Sequence, residues 1–107
     1  MTEPQLVRKI KEALIAEGAY AAKIHGGQYS VGVPDLVVCH RGRFFGFEVK
    51  LPGKEKKLTA LQEKNLRMIR EAGGHGWVIT TVSQAVEIIK GSAPAWREGS
   101  YVYGDSG

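Results

Sequence analysis

The feature that most constrains this chain is residues 32–50, GVPDLVVCHRGRFFGFEVK. Two apolar runs, 36–40 and 43–50, are joined by Arg41-Gly42. Strand-like runs separated by a residue pair ending in glycine predict a tight β-hairpin. The turn fixes the register. With Arg41 and Gly42 as the loop, His40 faces Arg43, and carrying the pairing outward sets Asp35 opposite Glu48. Opposed residues of an antiparallel pair hold their Cβ atoms roughly 5 Å apart. Two carboxylates forced that close repel each other unless a cation sits between them.

Side chains alternate along a strand, so Glu48 and Lys50 project from the face that carries Asp35. Leu36, Val38, Phe45, Phe47 and Val49 form a continuous apolar layer on the opposite face. A bland reading is open: Pro34-Asp35 as a turn entering a strand, and Glu48 and Lys50 as a solvated face with a surface ion pair. Against it, Val33, Val37, Cys39 and Phe44 share the face of the charged residues, and charges set among apolar groups tend to mark sites. A hard divalent ion such as Mg²⁺ takes one or two carboxylates plus waters and substrate phosphate. Asp35 and Glu48 suit that role, the backbone carbonyl of Val49 offers a third oxygen, and Lys50 stands where it can orient or deprotonate a water. The spacing points to metal-assisted hydrolysis of a phosphodiester.

These residues also carry a family resemblance. Pro34-Asp35 followed by Glu48-Val49-Lys50 resembles the PD-(D/E)xK motif of restriction-endonuclease-like nucleases. The strings GVPDL, FEVK and the later LTALQ (58–62) are similar, more narrowly, to the virus-type replication–repair nuclease family in its small stand-alone form from phage and bacteria. The resemblance spans roughly residues 2–90. It implies a mixed sheet flanked by helices, Mg²⁺ or Mn²⁺ as cofactor, DNA as substrate, and products with a 3′-hydroxyl and a 5′-phosphate. Stand-alone members are dimeric, which implies a homodimer here. In relatives a glutamate of the first helix often completes the metal site, and Glu3 is the candidate. A glutamine on the helix after the ExK strand projects into the active site in similar families, where it helps hold the metal-bound water or the motif lysine; Gln62 is that residue here.

Length and charge are compatible with this reading. The 107 residues allow one domain with a single core, and 43% hydrophobic with 24% charged content describes an ordinary globular chain. No apolar run is long enough to cross a membrane and the start, MTEPQLVRK, lacks a signal-peptide core. A single cysteine, Cys39, rules out an intramolecular disulfide and a cysteine-rich zinc site. Its place in a predicted strand implies a buried core thiol, and a reducing cytoplasm is the expected location. The net charge of +4 permits a polyanionic partner without demanding one. Lys54, Lys56 and Lys57 follow directly on Lys50, and a basic loop beside a metal site is where a phosphate backbone is gripped. A solvated lysine-rich turn is the alternative.

In chain order, Thr2 is an N-cap and Leu6, Val7, Ile10, Ala13 and Leu14 recur at helical spacing to about Glu17, before Gly18. Glu3 prolongs the buried stripe, although the helix dipole by itself favours an acidic residue there. Residues 19–25 read as a first strand. Gln28, Tyr29 and Ser30 form a loop leading to the hairpin; Tyr29 either stacks on a base or packs as part of a polar connector. No His or Cys spacing fits a metal, and none of the three histidines is given a role. Thr59 to Gln62 has the T-x-x-Q form of a capping box opening a helix to about Ala72. Leu58, Leu61, Leu66 and Ile69 form its expected buried stripe. The spacing alone explains Gln62 as a cap, so the cap and site readings both stand. Residues 77–81 read as a strand and 82–90 as a last helix with Ser83 as N-cap.

A strand-helix-strand crossover makes the last strand parallel to the ExK strand. The expected fold is therefore α/β, a restriction-endonuclease-like core in the order α-β-β-β-α-β-α over residues 1–90. The tail, residues 91–107, carries Trp96, Tyr101, Val102 and Tyr103, which need cover from the sheet edge or from a partner subunit. The expected activity is a Mg²⁺- or Mn²⁺-dependent deoxyribonuclease. Asp35, Glu48, Val49 and Glu3 hold the metal, Lys50 and Gln62 serve the chemistry, and Lys54, Lys56, Lys57, Tyr29 and Ser30 contact DNA. A symmetric dimer matches a symmetric four-way junction, which favours Holliday-junction resolution. The alternatives are a flap or nicking nuclease of the same family and a non-catalytic DNA-binding module. The last leaves the pairing of Asp35 with Glu48 unexplained, because paired carboxylates repel phosphate unless a metal intervenes.

Overall fold

The structure, a computed structural model, describes residues 1–25, 31–91 and 99–104. Its elements run α1 (Glu3–Ala16), β1 (Tyr20–Lys23), β2 (Leu36–His40), β3 (Arg43–Val49), α2 (Ala60–Glu71), β4 (His75–Ile79) and α3 (Val82–Ile89). The strands form one sheet in the order β1-β2-β3-β4. The first two junctions are antiparallel, and β4 lies parallel to β3 after the α2 crossover. This is the expected mixed sheet with helices on both sides, in the expected order.

The hairpin turn sets the rest. Arg41 (φ 51°) and Gly42 (φ 78°) both take the left-handed conformation, which gives a two-residue turn whose twist matches that of its strands. His40 consequently pairs with Arg43 and Leu36 with Phe47, the register read from the turn chemistry. The apolar layer of that register faces α1 and α3. Leu36, Val38, Phe45, Phe47 and Val49 pack with Leu6, Val7, Ile10 and Leu14 of α1 and with Ala85, Ile88 and Ile89 of α3. Thr2 caps α1 through a reciprocal box with Gln5. The cap of α3 is Thr81, whose hydroxyl accepts from the Gln84 N–H, and not Ser83, which lies inside the helix. The reason is that β4 occupies 75–79 and not 77–81, so the chain turns into α3 two residues sooner.

On the opposite side, α2 packs over β3 and β4. It comes close because β4 has no side chain at Gly76, where a Cβ would stand 2.7 Å from the Leu66 carbonyl oxygen. The apolar layer here is thin, with Leu66, Val78 and Tyr101 at its centre. Two expectations fail on this side. Cys39 is exposed, not a core thiol, because α2 packs on β3 and β4; its cross-strand neighbours, Tyr20 of β1 (69%) and Phe44 of β3 (45%), are exposed beside it. Leu61 is 48% exposed and does not join the buried stripe; α2's first turn meets the loop at Gly32 through the Leu61 backbone. The first strand is also shorter than expected and stops at Lys23, before His25.

The outer edge of β4 is covered. The Val78 N–H donates to the Tyr101 carbonyl (2.7 Å) and the Tyr103 N–H to the Val78 carbonyl (3.0 Å), so Tyr101 and Tyr103 lie along the sheet edge. The Arg70 guanidinium stands 4.9 Å from the Trp77 ring centre and 4.4 Å from that of Tyr101, and donates to the carbonyls of Gly76 (2.9 Å) and Ser100 (2.6 Å). A delocalised cation held by two rings and two carbonyls is tolerated in a buried place. Trp96 lies outside the described residues. Among those residues no helix is long and apolar enough to cross a membrane.

Candidate active site

The site forms where the hairpin strands leave the ladder. One step beyond Leu36–Phe47 the register brings Asp35 opposite Glu48. Asp35 Oδ2 accepts from the Val49 N–H at 2.8 Å, which ties the carboxylate to the β3 backbone. Glu48 turns toward α2, the side opposite Phe47 and Val49, and is only 3% exposed. Gln62, in the first turn of α2, reaches it: Nε2 donates to Glu48 Oε1 at 3.2 Å. Lys50 follows on the same face, and its Nζ donates to Gln62 Oε1 at 3.4 Å. Its main chain continues the parallel ladder by donating to the Ile79 carbonyl (3.0 Å).

Four of the residues singled out in the sequence, Asp35, Glu48, Lys50 and Gln62, are thus brought together. Glu3 stands near enough for its charge to act on Glu48, yet among the described residues no group of three or more His, Cys, Asp and Glu side chains gathers to hold a metal ion. Lys54, Lys56 and Lys57 lie exposed on the segment between β3 and α2, and Lys56 lines a shallow depression with Gly99, Ser100, Tyr101 and Val102. That segment is folded on itself by bonds from the Lys54 N–H to the Leu51 carbonyl and from the Lys57 N–H to the Lys54 carbonyl, both 3.0 Å. Tyr29 and Ser30 lie outside the described residues.

The electrostatics of Glu48 decide what the cluster can bind. Its carboxyl is pushed up to about 9, first by burial, then by the charge and hydrogen-bonding proximity of Asp35, with Glu3 adding a little and Lys50 acting against it. Its second oxygen, Oε2, is buried and receives no hydrogen bond from any described residue. A buried carboxylate oxygen without a donor is costly. It calls for a proton or a cation. A hard divalent ion that takes two carboxylates and fills its remaining positions with water and phosphate oxygens fits this donor set.

Gln62 is helix cap and site residue at once. The Thr59 N–H donates to Gln62 Oε1 (3.0 Å) and the Gln62 N–H to Thr59 Oγ1 (3.1 Å), while the same amide touches Glu48 and Lys50. The T-x-x-Q spacing held that signal. What it could not show was that the box opens directly over β3.

The chain matches no family model and no curated protein sequence. Among solved structures it is similar to a VRR_NUC domain, with 26% identity and a TM-score of 0.61 over 82% of this chain and 94% of that one. It is also similar to Hjc, a Holliday junction resolvase from Archaeoglobus fulgidus, with 22% identity and a TM-score of 0.57 over 73% of this chain and 67% of that one. With its strand order, its α2 crossover and its carboxylates at the hairpin end, the chain has the restriction-endonuclease-like fold in the form taken by the VRR_NUC domain.

Proposed function

We propose that this protein is a metal-dependent deoxyribonuclease. The observation that carries the proposal is the buried Oε2 of Glu48, which no described residue hydrogen-bonds, beside the Asp35 carboxylate, with Lys50 directly after the last residue of β3. The likeness to a VRR_NUC domain and to a Holliday junction resolvase supports a nuclease. Asp35 and Glu48 would hold Mg²⁺ or Mn²⁺, with the Val49 carbonyl as a further oxygen and Glu3 adding negative charge. Such an ion supplies Lewis acidity toward a phosphoryl oxygen and a more acidic bound water. The chain's own residues do the rest. The Lys50 ammonium orients the attacking water and balances charge that grows on the phosphate. Gln62 holds the lysine and Glu48 in place, and the exposed Lys54, Lys56 and Lys57 neutralise the DNA backbone on either side of the scissile bond.

Holliday-junction cleavage by a homodimer is the preferred activity. Two sites related by a two-fold axis match a four-way junction, and the similarity to Hjc supports that substrate. The test is cleavage of labelled four-way junction, flap, duplex and single-stranded DNA with Mg²⁺, Mn²⁺ or EDTA. Paired symmetric nicks on the junction, lost with EDTA and in Lys50→Ala, are expected. Cleavage of flaps alone would keep the site and replace the substrate. Tight binding without cleavage under any metal would establish a binding module instead.

A further inference from the structure

The amide of Gln62 sits between two structural demands. Its Oε1 accepts from the Thr59 N–H at 3.0 Å and from Lys50 Nζ at 3.4 Å, and its Nε2 donates to Glu48 Oε1 at 3.2 Å. The two ends of an amide are not interchangeable, since the oxygen only accepts and the nitrogen only donates. The Thr59 N–H and the Lys50 ammonium are both donors, so the oxygen must face them. The nitrogen is then left for Glu48. With Oε1 of Glu48 engaged, Oε2 is the oxygen that no described residue hydrogen-bonds. Thr59 also fixes the main chain of Gln62, because its Oγ1 accepts from the Gln62 N–H at 3.1 Å.

The chain carries a second copy of the same device. Thr2 and Gln5 form an equivalent box at the start of α1, where both residues are exposed and, among the described residues, the Gln5 amide oxygen accepts from the Thr2 N–H alone (2.8 Å). There the box is a helix cap and nothing more. At Thr59 it is connected to two charged side chains of the site.

We infer that Thr59 is a positioning residue: the capping box at the start of α2 sets the orientation of the Gln62 amide, and through it the Glu48 carboxylate and the Lys50 ammonium. The catalytic consequence rests on the nuclease reading; the orientation of the amide does not. Groups that orient metal ligands from behind typically change metal affinity or activity 10- to 100-fold, at order of magnitude, when removed.

The experiment compares the full chain with Thr59→Ala, Thr59→Ser and Thr2→Ala, below all their melting temperatures. Three quantities are read: the shift and hydrogen exchange of the Gln62 side-chain amide by NMR, Mn²⁺ affinity by calorimetry, and kcat and KM on four-way-junction DNA. Thr59→Ala keeps the Thr59 N–H but loses the hydroxyl that holds the Gln62 main chain, so the Gln62 amide is expected to shift and exchange faster than in the wild type, with Mn²⁺ affinity and kcat each falling about tenfold or more and KM unchanged. Thr59→Ser restores all three. Thr2→Ala melts earlier but keeps wild-type values. If Thr59→Ala behaves like Thr2→Ala, with a lower melting temperature and nothing else, Thr59 is only a cap and the inference falls. Thr59→Gly, which disturbs a helix start little, carries the same expectation if the alanine variant does not fold. Absence of cleavage by every form, with the Gln62 amide responding as expected, defeats the nuclease reading and leaves the positioning role intact. Cleavage with an unresponsive amide does the reverse.

Discussion

The two faces of the sheet are built for different purposes. Toward α1 and α3 the hairpin turns Leu36, Val38, Phe45, Phe47 and Val49, all apolar and buried, and its polar residues on this face, His40 and Arg43, stand at the turn end, where Arg43 donates to the Ile89 carbonyl. Toward α2 the layer is thin. It rests on the absence of a side chain at Gly76, leaves Cys39, Phe44 and Tyr20 in solvent at one end, and holds Glu48 buried at the other. Alternation along one pair of strands produced both faces. The comparison teaches that a short hairpin can give one side to stability and the other to chemistry, because neighbouring residues on a strand never share a face.

Substitutions on the two faces should have opposite consequences for stability and for cleavage. Phe47→Ala, on the α1–α3 face, is expected to cost about 3–5 kcal/mol in urea unfolding, the usual range for emptying a core aromatic site. A cost below about 1 kcal/mol would show that this face is not the stabilising one. Lys50→Ala, on the other face, should do the opposite. Cleavage is expected to fall by about 10²–10⁴, the range for loss of a positioned proton-transfer group, with unfolding scarcely changed. An equal loss of stability would make Lys50 a structural residue. Gly76→Ala should cost about 1–3 kcal/mol, since the new methyl would stand 2.7 Å from a backbone oxygen that cannot rotate away. Thermal melting checks it, and a neutral result would mean that α2 is free to move off the sheet.

Proton linkage gives a smaller effect with a definite sign. The Glu48 carboxyl is raised from 4.5 to about 9 in the folded chain, so the folded state holds its proton more tightly than the unfolded state does. The stability this provides is complete below the unfolded value of 4.5 and is lost as pH rises toward 9. In EDTA, unfolding free energy should drop by at least about 1 kcal/mol between pH 5 and pH 9, and Glu48→Gln should flatten that slope. Added Mn²⁺ should restore stability at the high end, by binding the folded state alone. A wild-type slope identical to that of Glu48→Gln would remove the basis for a buried, shared proton. The smallest effect is expected at Cys39→Ser. An exposed position on the uncovered half of the sheet should change melting by less than about 0.5 kcal/mol. A larger loss would show that the face is covered after all.

Much of this was legible in the residues. Arg41-Gly42 specifies a turn whose twist and length fix the register, and the register places Asp35 against Glu48 without further information. Thr2 and Thr59, each three residues ahead of a glutamine, mark helix starts by hydrogen bonds that are local in sequence. Thr81 and Ser83, two hydroxyl residues within three positions, are equally suited to cap α3 by local sequence, and the choice falls to Thr81 because β4 ends at Ile79. Gly76 carries no local signal of its role, which is to be the place in β4 where α2 comes to rest.

By itself, then, the sequence determined what depends on neighbours along the chain: the hairpin register, the alternation of its faces, two of the three helix caps and the pairing of the carboxylates. Only the tertiary structure decided what depends on which surface meets which. It left Cys39 and Leu61 in solvent, because α2 spans β3 and β4 and no more of the sheet. It laid Tyr101 and Tyr103 along the edge of β4. It also made one glutamine both cap and site residue, by setting the first turn of α2 above Glu48 and Lys50. Periodicity says which side of an element is apolar, but the extent of a helix's cover is set by the packing of backbones, here by a strand with no side chain at Gly76.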